Sequence, residues 1–262
     1  MAELFLLTLT GAGFVLFTVA LVLTSYFVTR RLLMPGAEGD RTHDVAASVA
    51  VRIATLHALI LGLVYAQELD DYKSVRGVLT EEAVAVSDVY NDARRYGGAV
   101  IQPVQQGLAR YLKIVVDQEW QRLGAKKGLS PEAWQEWEGV YGRILDLSPV
   151  TEREKFLSQR MKVRITDVAR HRQLRQANSM GRFAGLFWGP ALIGLILVAA
   201  PFYVYRPTRT HVVLLSLFGA YSGVIFFFIF AFANPFSAPG KLEPKPFEHL
   251  LRGEIGQTLK TP

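Results

Sequence analysis

The sequence contains no cysteine. That excludes disulfides, cysteine-ligated iron–sulfur clusters and thiolate zinc sites, and leaves the compartment open. Catalytic signatures are missing too. The five histidines form no His-x-x-x-His pair and no cluster with carboxylates, and no Asp-x-Asp motif offers a metal site. There is no Gly-x-Ser-x-Gly elbow and no glycine-rich loop between a strand and a helix, so acyl transfer and nucleotide binding have no support. Strand-like alternation, internal repeats and low-complexity tracts are absent as well. From these absences we expect no enzyme, no cofactor, no catalytic residue and no metal ligand.

What the chain does have is apolar residues, in blocks. They make up 50% of its 262 residues, with a mean hydropathy of +0.21. A soluble chain that apolar would be unusual, so the sequence reads as a membrane protein. The net charge of +6 suits anionic lipid and does not imply nucleic acid.

Four apolar runs approach the roughly 20 residues that a spanning helix needs. The first, Leu4 to Val28, is followed by Arg30 and Arg31. A cleaved signal would carry its basic residues in front, so an uncleaved first span is expected. A polar link with Pro35, Gly36 and Gly39 leads to Asp44, a candidate N-cap for the second span, Val45 to Gln67. The third runs from Phe183 to Tyr205, with Pro190 and Pro201 expected to kink it. The fourth, Val212 to Ala233, is rich in aromatics. A proline-rich tail follows, with a short amphipathic helix marked by Phe247, Leu250 and Leu251.

Between the second and third runs the period is helical. Leu69, Tyr72, Val75, Val78, Leu79, Val86 and Val89 extend the second helix towards Gly97 and Gly98. Val104, Leu108, Leu112, Val115 and Leu123 mark another helix. Ser130-Pro131 is an N-cap with proline at the first helical position, ahead of Trp134, Trp137 and Tyr141. Thr151 to Glu154 is a capping box, opening a helix with Leu157, Met161, Ile165 and Val168 on one face and Arg170, His171, Arg172 and Arg175 near its end. The expected fold is all-α: four transmembrane helices with a helical extramembrane domain inserted between the second and third. Its parts are residues 1–68 for helices 1 and 2, 69–182 for the helical domain, 183–234 for helices 3 and 4, and 235–262 for the tail. The side of the membrane is evenly contested. Arg30, Arg31, Arg41, Arg206 and Arg209 crowd the short loops, while more lysines and arginines sit on the opposite side in longer segments.

The second span carries two ionisable residues, Arg52 and His57. An arginine within a span costs roughly 2.5–3.5 kcal/mol on insertion scales and is therefore commonly functional or paired, unless it snorkels to the headgroups. At 3.6 residues per turn His57 lies about 140° around the helix from Arg52. Arg52 instead belongs to a small and polar stripe of Ser48, Arg52, Thr55, Leu59, Gly62 and Ala66, continued by Leu69. Such a stripe suits close helix packing around an axis or a wet pore. Four spans are few to enclose a pore, so conduction would require a symmetric oligomer with the second span on its axis. Rings of Arg52 would favour anions, and Glu68, Asp70 and Asp71 would form a charge ring at the helix exit.

The order of these features resembles the bestrophin-like domain family. The residues that carry the resemblance are Val28-Thr-Arg-Arg-Leu-Leu, then His43-Asp44-Val45-Ala46, then Ala83-Val84-Ala85-Val86-Ser87-Asp88-Val89-Tyr90. Last come Pro235-Phe236-Ser237 and Pro246-Phe247. Asn234 stands where the family often has an acid, and Ala238 where it often has glycine. The resemblance implies a homo-oligomer in a prokaryotic plasma membrane, with a pentamer as candidate stoichiometry, the second span around the axis and a cytoplasmic helical domain. By analogy it implies chloride-like conduction. The expected partners are the lipid bilayer, further copies of the chain and small inorganic ions, without nucleic acid. The expected function is an oligomeric, anion-leaning ion channel. The alternatives are a cation channel of the same architecture, or a non-conducting helical scaffold or sensor using the Trp134 and Trp137 surface. An aromatic stripe of that spacing is more often a domain's own core.

Overall fold

The computed structural model describes residues 2–33, 40–179 and 184–259. It is all-helical, with 87% of residues in helices and no strand among the described residues. The chain divides into two compact units, each discontinuous in sequence. One comprises Met1–Asp71, Arg182–Ala233 and Ala238–Gly240, the other Tyr72–Gly181, Asn234–Ser237 and Lys241–Pro262.

The apolar unit is built from α1 (Ala2–Leu33), the first part of α2 (Asp40–Tyr96), α7 (Ala184–Ala199) and α8 (Arg209–Ala233). Its core gathers Val22, Tyr26, Leu61, Val64, Leu195 and Phe226. α1 and α8 approach closely because Gly219 and Gly223 sit one turn apart. A Cβ at Gly219 would lie 2.9 Å from Val19 Cα, and one at Gly223 2.7 Å from Val15 Cα. This is the small-xxx-small device that brings membrane helices together without a hydrophobic drive. Among the described residues, three of the four expected spans are long apolar helices and the other is a shorter apolar one. Phe5–Leu33, the helix Thr42–Tyr96 and Arg209–Ala233 are long and apolar enough to cross a membrane, and Trp188–Val204 is shorter. Pro190 is accommodated inside α7. At Pro201 the α-helix gives way to a 3₁₀ turn, Ala200–Val204. The carbonyls freed there are taken up by α1: Arg30 Nη1 donates to Tyr203 O at 2.7 Å and to Tyr205 O at 2.8 Å, and the Tyr26 hydroxyl donates to Tyr205 O at 2.7 Å. Phe183 and the link carrying Pro35, Gly36 and Gly39 lie outside the described residues. Asp44 is not an N-cap. α2 already begins at Asp40, and Asp44 stands inside it because no residue between the two breaks a helix.

The polar unit holds the rest of α2, α3 (Ile101–Ile114), a π-helical stretch Val115–Glu119, α4 (Trp120–Gly124), α5 (Pro131–Leu145), α6 (Glu152–Ser179), α9 (Lys245–Arg252) and α10 (Glu254–Gln257). α2 is continuous up to Tyr96. The turn beyond it uses Gly97 and Gly98, both at positive φ (88° and 75°), where glycine carries no Cβ penalty. Both expected caps form. The Ser130 hydroxyl accepts from Ala133 N, and in the capping box Thr151 Oγ1 accepts from Glu154 N while Glu154 Oε2 accepts from Thr151 N at 3.0 Å. Trp134, Trp137 and Tyr141 belong to the unit's own interior. Trp137 stacks between the other two rings at 4.7 and 5.0 Å, and its Nε1 donates to Ile165 O at 2.9 Å.

The basic end of α6 turns two of its arginines inward. Arg172 and Arg175 are wholly buried, together with Glu82 and Glu119. Arg172 Nη2 donates to Glu119 Oε2 at 2.8 Å and to Ser130 O at 2.7 Å. Arg175 Nη2 donates to the other oxygen of Glu119, and its Nη1 lies 3.4 Å from Glu82. The Tyr111 hydroxyl donates to Glu82. Trp134 lies 5.2 Å from the Arg172 guanidinium, and Phe247 5.5 Å from that of Arg175. Burial, reinforced by Glu82, pushes the Tyr111 hydroxyl well above its usual value. Burial opposes the charge of Arg175, but the carboxylates of Glu82 and Glu119 outweigh it and raise its pKa. Burial pushes the Glu82 carboxyl up, against the pull of Arg175 and the Tyr111 hydrogen bond; pairing of this kind is the condition under which charges tolerate a dry interior. The π-helical stretch ends at Glu119. Glu119 follows Leu112 and Val115 on the buried face at three- and four-residue spacing.

Candidate functional site

The candidate site lies on the part of α2 in the apolar unit. This helix has 57 residues, about 85 Å at 1.5 Å per residue. Among the described residues of the single chain, one narrow face of its apolar part is covered. Ala50, His57, Leu61 and Val64 are buried there, at the four-and-three spacing of one helix face. The His57 ring packs against Gly194 of α7, where the missing Cβ makes room for it.

The predicted stripe runs along the other side. At 100° per residue, its centre lies roughly opposite the buried face. Ser48, Arg52, Thr55, Leu59, Gly62 and Ala66 are all exposed. A Cβ at Gly62 would meet nothing within 4 Å. Thr55 Oγ1 donates back to Val51 O at 2.9 Å. Arg52 makes no ion pair among the described residues. None of the six belongs to the chain's own core.

The three acids at the helix exit do not share a face. Asp70 is exposed and continues the line of the stripe. Glu68 is half-buried and lies on the opposite side, and Asp71 accepts a hydrogen bond from Gln67 Nε2 at 3.0 Å. Chemically the face offers a cation, a hydroxyl and small residues, followed at its end by a carboxylate. It offers no nucleophile–base pair, and no group of three metal-ligating side chains gathers among the described residues.

Two features went unnoticed in the sequence: the Gly219–Gly223 pair and the buried charges around Glu119. The glycine pair was readable as Gly-x-x-x-Gly in an apolar helix. The buried charges were readable as polar residues occupying core positions of a helical period.

A family-level comparison matches the bestrophin-like domain over residues 16–247. No curated protein matches the sequence. Among solved structures, a single-substitution variant of a bacterial bestrophin homolog from Klebsiella pneumoniae is similar at a TM-score of 0.67, with 12% identity over 95% of this chain and 98% of that one. A second variant of that protein gives 0.66, with 13% identity over 96% and 99%. A further structure, described only as a membrane protein, gives 0.64, with 11% identity over 97% and 99%. At such identities the structures establish a shared fold over nearly the whole chain, and the domain match extends over most of it. The helix order and these matches agree: the chain belongs to the bestrophin-like domain family.

Proposed function

We propose that the protein is an ion channel of the prokaryotic plasma membrane, assembled from several identical chains with α2 around the axis. The observation that carries this is the placement of Ser48, Arg52, Thr55, Leu59, Gly62 and Ala66. They form a continuous exposed face on a long apolar helix, opposite the face covered by the chain's own core. Polar and small residues turned away from a monomer's core gain most by facing an axis where water and partner helices replace lipid. In this arrangement the chain crosses the membrane four times, Trp188–Val204 being at the short end of the roughly 17 to 25 residues that suffice. The helical domain between the second and third crossings is cytoplasmic, and the assembly is a pentamer, as family membership suggests.

Symmetry turns Arg52 into a ring of cations, which selects anions of the chloride type. A cation-conducting variant keeps one specific support, the exposed Asp70 in line with the same stripe. The scaffold alternative loses its motivation, because Trp134 and Trp137 pack within their own unit.

Purified protein in liposomes under a salt gradient tests the reading. We expect a reversal potential near the anion equilibrium value, moving towards zero or the cation side in Arg52→Ala. Folded oligomers that carry no flux would overturn the channel, and a cation reversal potential in the wild type would transfer the role to Asp70.

A further inference from the structure

One cleft of the polar unit has no part in the channel reading. It encloses about 430 Å³ between α2 and the segment leading into α9. Arg76 contributes from α2, and Lys241 and Lys245 from the tail, with Glu243 the single carboxylate among them. Glu243 is committed to Lys245 at 2.8 Å. Arg76 and Lys241 form no ion pair among the described residues. Three cations with one acid leave a net positive charge in one concavity, and an anion would relieve the repulsion among the cations.

The wall is fixed rather than loose. Leu242 N donates to Pro235 O at 2.7 Å, and Leu242 O accepts from the buried Trp120 Nε1 at 2.7 Å. Lys241 and Glu243 flank this pinned residue. α9 opens at Lys245 with no side chain capping it, and a helix start adds a positive field of its own. Thr80 adds a hydroxyl. Arg76 follows the last residue of the apolar run, Gln67, by nine positions on one continuous helix, about 13 Å of rise.

We propose that this cleft binds a phosphate-bearing anion, either the headgroup of an acidic phospholipid or a free phosphate. Arg76 and Lys241 make the new charge-assisted hydrogen bonds, and Lys245 shares its ammonium between Glu243 and the ligand. The lipid source rests on the membrane reading above, and the free-phosphate source does not.

The test uses the full chain in detergent, unfolded thermally in the presence of dihexanoyl phosphatidylglycerol, dihexanoyl phosphatidylcholine or inorganic phosphate. A ligand of the native state raises the midpoint by mass action. Stabilisation by phosphatidylglycerol but not phosphatidylcholine or phosphate identifies a lipid headgroup. Stabilisation by phosphate identifies a free anion. Arg76→Gln with Lys241→Gln should weaken the effective ligand about tenfold or more. A charge-matched pair elsewhere on the unit, Lys113→Gln with Lys127→Gln, should leave affinity unchanged, and Lys245→Gln alone should give an intermediate loss. The proposal fails if neither phosphatidylglycerol nor phosphate stabilises the protein, or if the two double variants bind alike. Neither outcome depends on whether the protein conducts.

Discussion

The Glu119 carboxylate accepts a hydrogen bond from Arg172 at 2.8 Å, with both side chains fully buried. The same carboxylate holds Arg175, whose Nη1 also lies 3.4 Å from Glu82, so one residue binds two guanidinium groups in a core of tryptophan and tyrosine rings. Removing one member of a buried ion pair typically costs about 3–5 kcal/mol, because its partner is left charged and dry. Glu119→Ala should therefore destabilise the polar unit by that amount. Glu119→Gln, which keeps an acceptor, should cost less. Denaturant unfolding followed by tryptophan emission reads this directly, since Trp120, Trp134 and Trp137 all lie in that unit. A wild-type midpoint for Glu119→Ala would mean that water reaches the two arginines.

His57 and Gly194 make a second coupled pair. A methyl group at position 194 would collide with Nδ1 of the imidazole. Gly194→Ala should cost roughly 1–3 kcal/mol as an overpacked site. His57→Ala vacates the space the new methyl needs, so the double variant should be more stable than the sum of the two single losses implies. Additive losses in thermal unfolding would show that His57 swings away freely and that the packing is not specific.

Most of the helical layout was legible because caps and breakers are local. Ser130-Pro131, Thr151 with Glu154, and Gly97-Gly98 each act within one turn of the backbone they cap or break. The buried charges were legible only in part. Met161, Ile165, Val168, Arg172 and Arg175 form one four-and-three stripe on α6, and Leu79, Glu82, Val86 and Val89 form another on α2. The period places those charged residues among core positions. What it lacks is the partner, since the carboxylate opposite each arginine comes from a distant helix. Glu119 likewise continues the stripe of Leu108, Leu112 and Val115 at three- and four-residue spacing. Asp44 misled for the opposite reason: a good capping residue can stand one turn inside a helix that starts earlier. The exposed stripe on α2 was fully legible as a pattern, but a period cannot say whether a face meets its own core or a neighbour.

The capping box offers a pH test. Glu154 accepts hydrogen bonds from Val150 N at 2.7 Å and Thr151 N at 3.0 Å, and these bonds hold its carboxyl below the ordinary range. A depressed folded-state pKa means that the stabilisation is complete above the unfolded value, about 4.3, and is lost as pH falls through the folded value. Glu154→Gln cannot titrate. The wild type should therefore exceed the variant in thermal midpoint near neutrality, with the gap narrowing as pH drops below about 4. A gap that stays constant with pH would assign the difference to geometry rather than charge.

The missing cysteines make the pore proposal directly testable, since any introduced thiol is the only one in the chain. Thr55 and Gly62 lie on the exposed stripe, and Leu16 is an exposed apolar residue of α1, 70% accessible in the single chain. A thiol reacts with a water-soluble methanethiosulfonate only where water can carry the reagent to a thiolate. Thr55→Cys and Gly62→Cys should react in assembled protein, and a cationic reagent at either site should change flux through liposomes. Leu16→Cys should stay unmodified, because lipid rather than water covers an apolar residue on a spanning helix. Equal protection at all three positions would place the stripe against lipid or a dry interface and remove α2 from the conduction path. Reaction at Thr55 and Gly62 without any change in flux would keep the stripe wet but assign conduction, if any, to another helix.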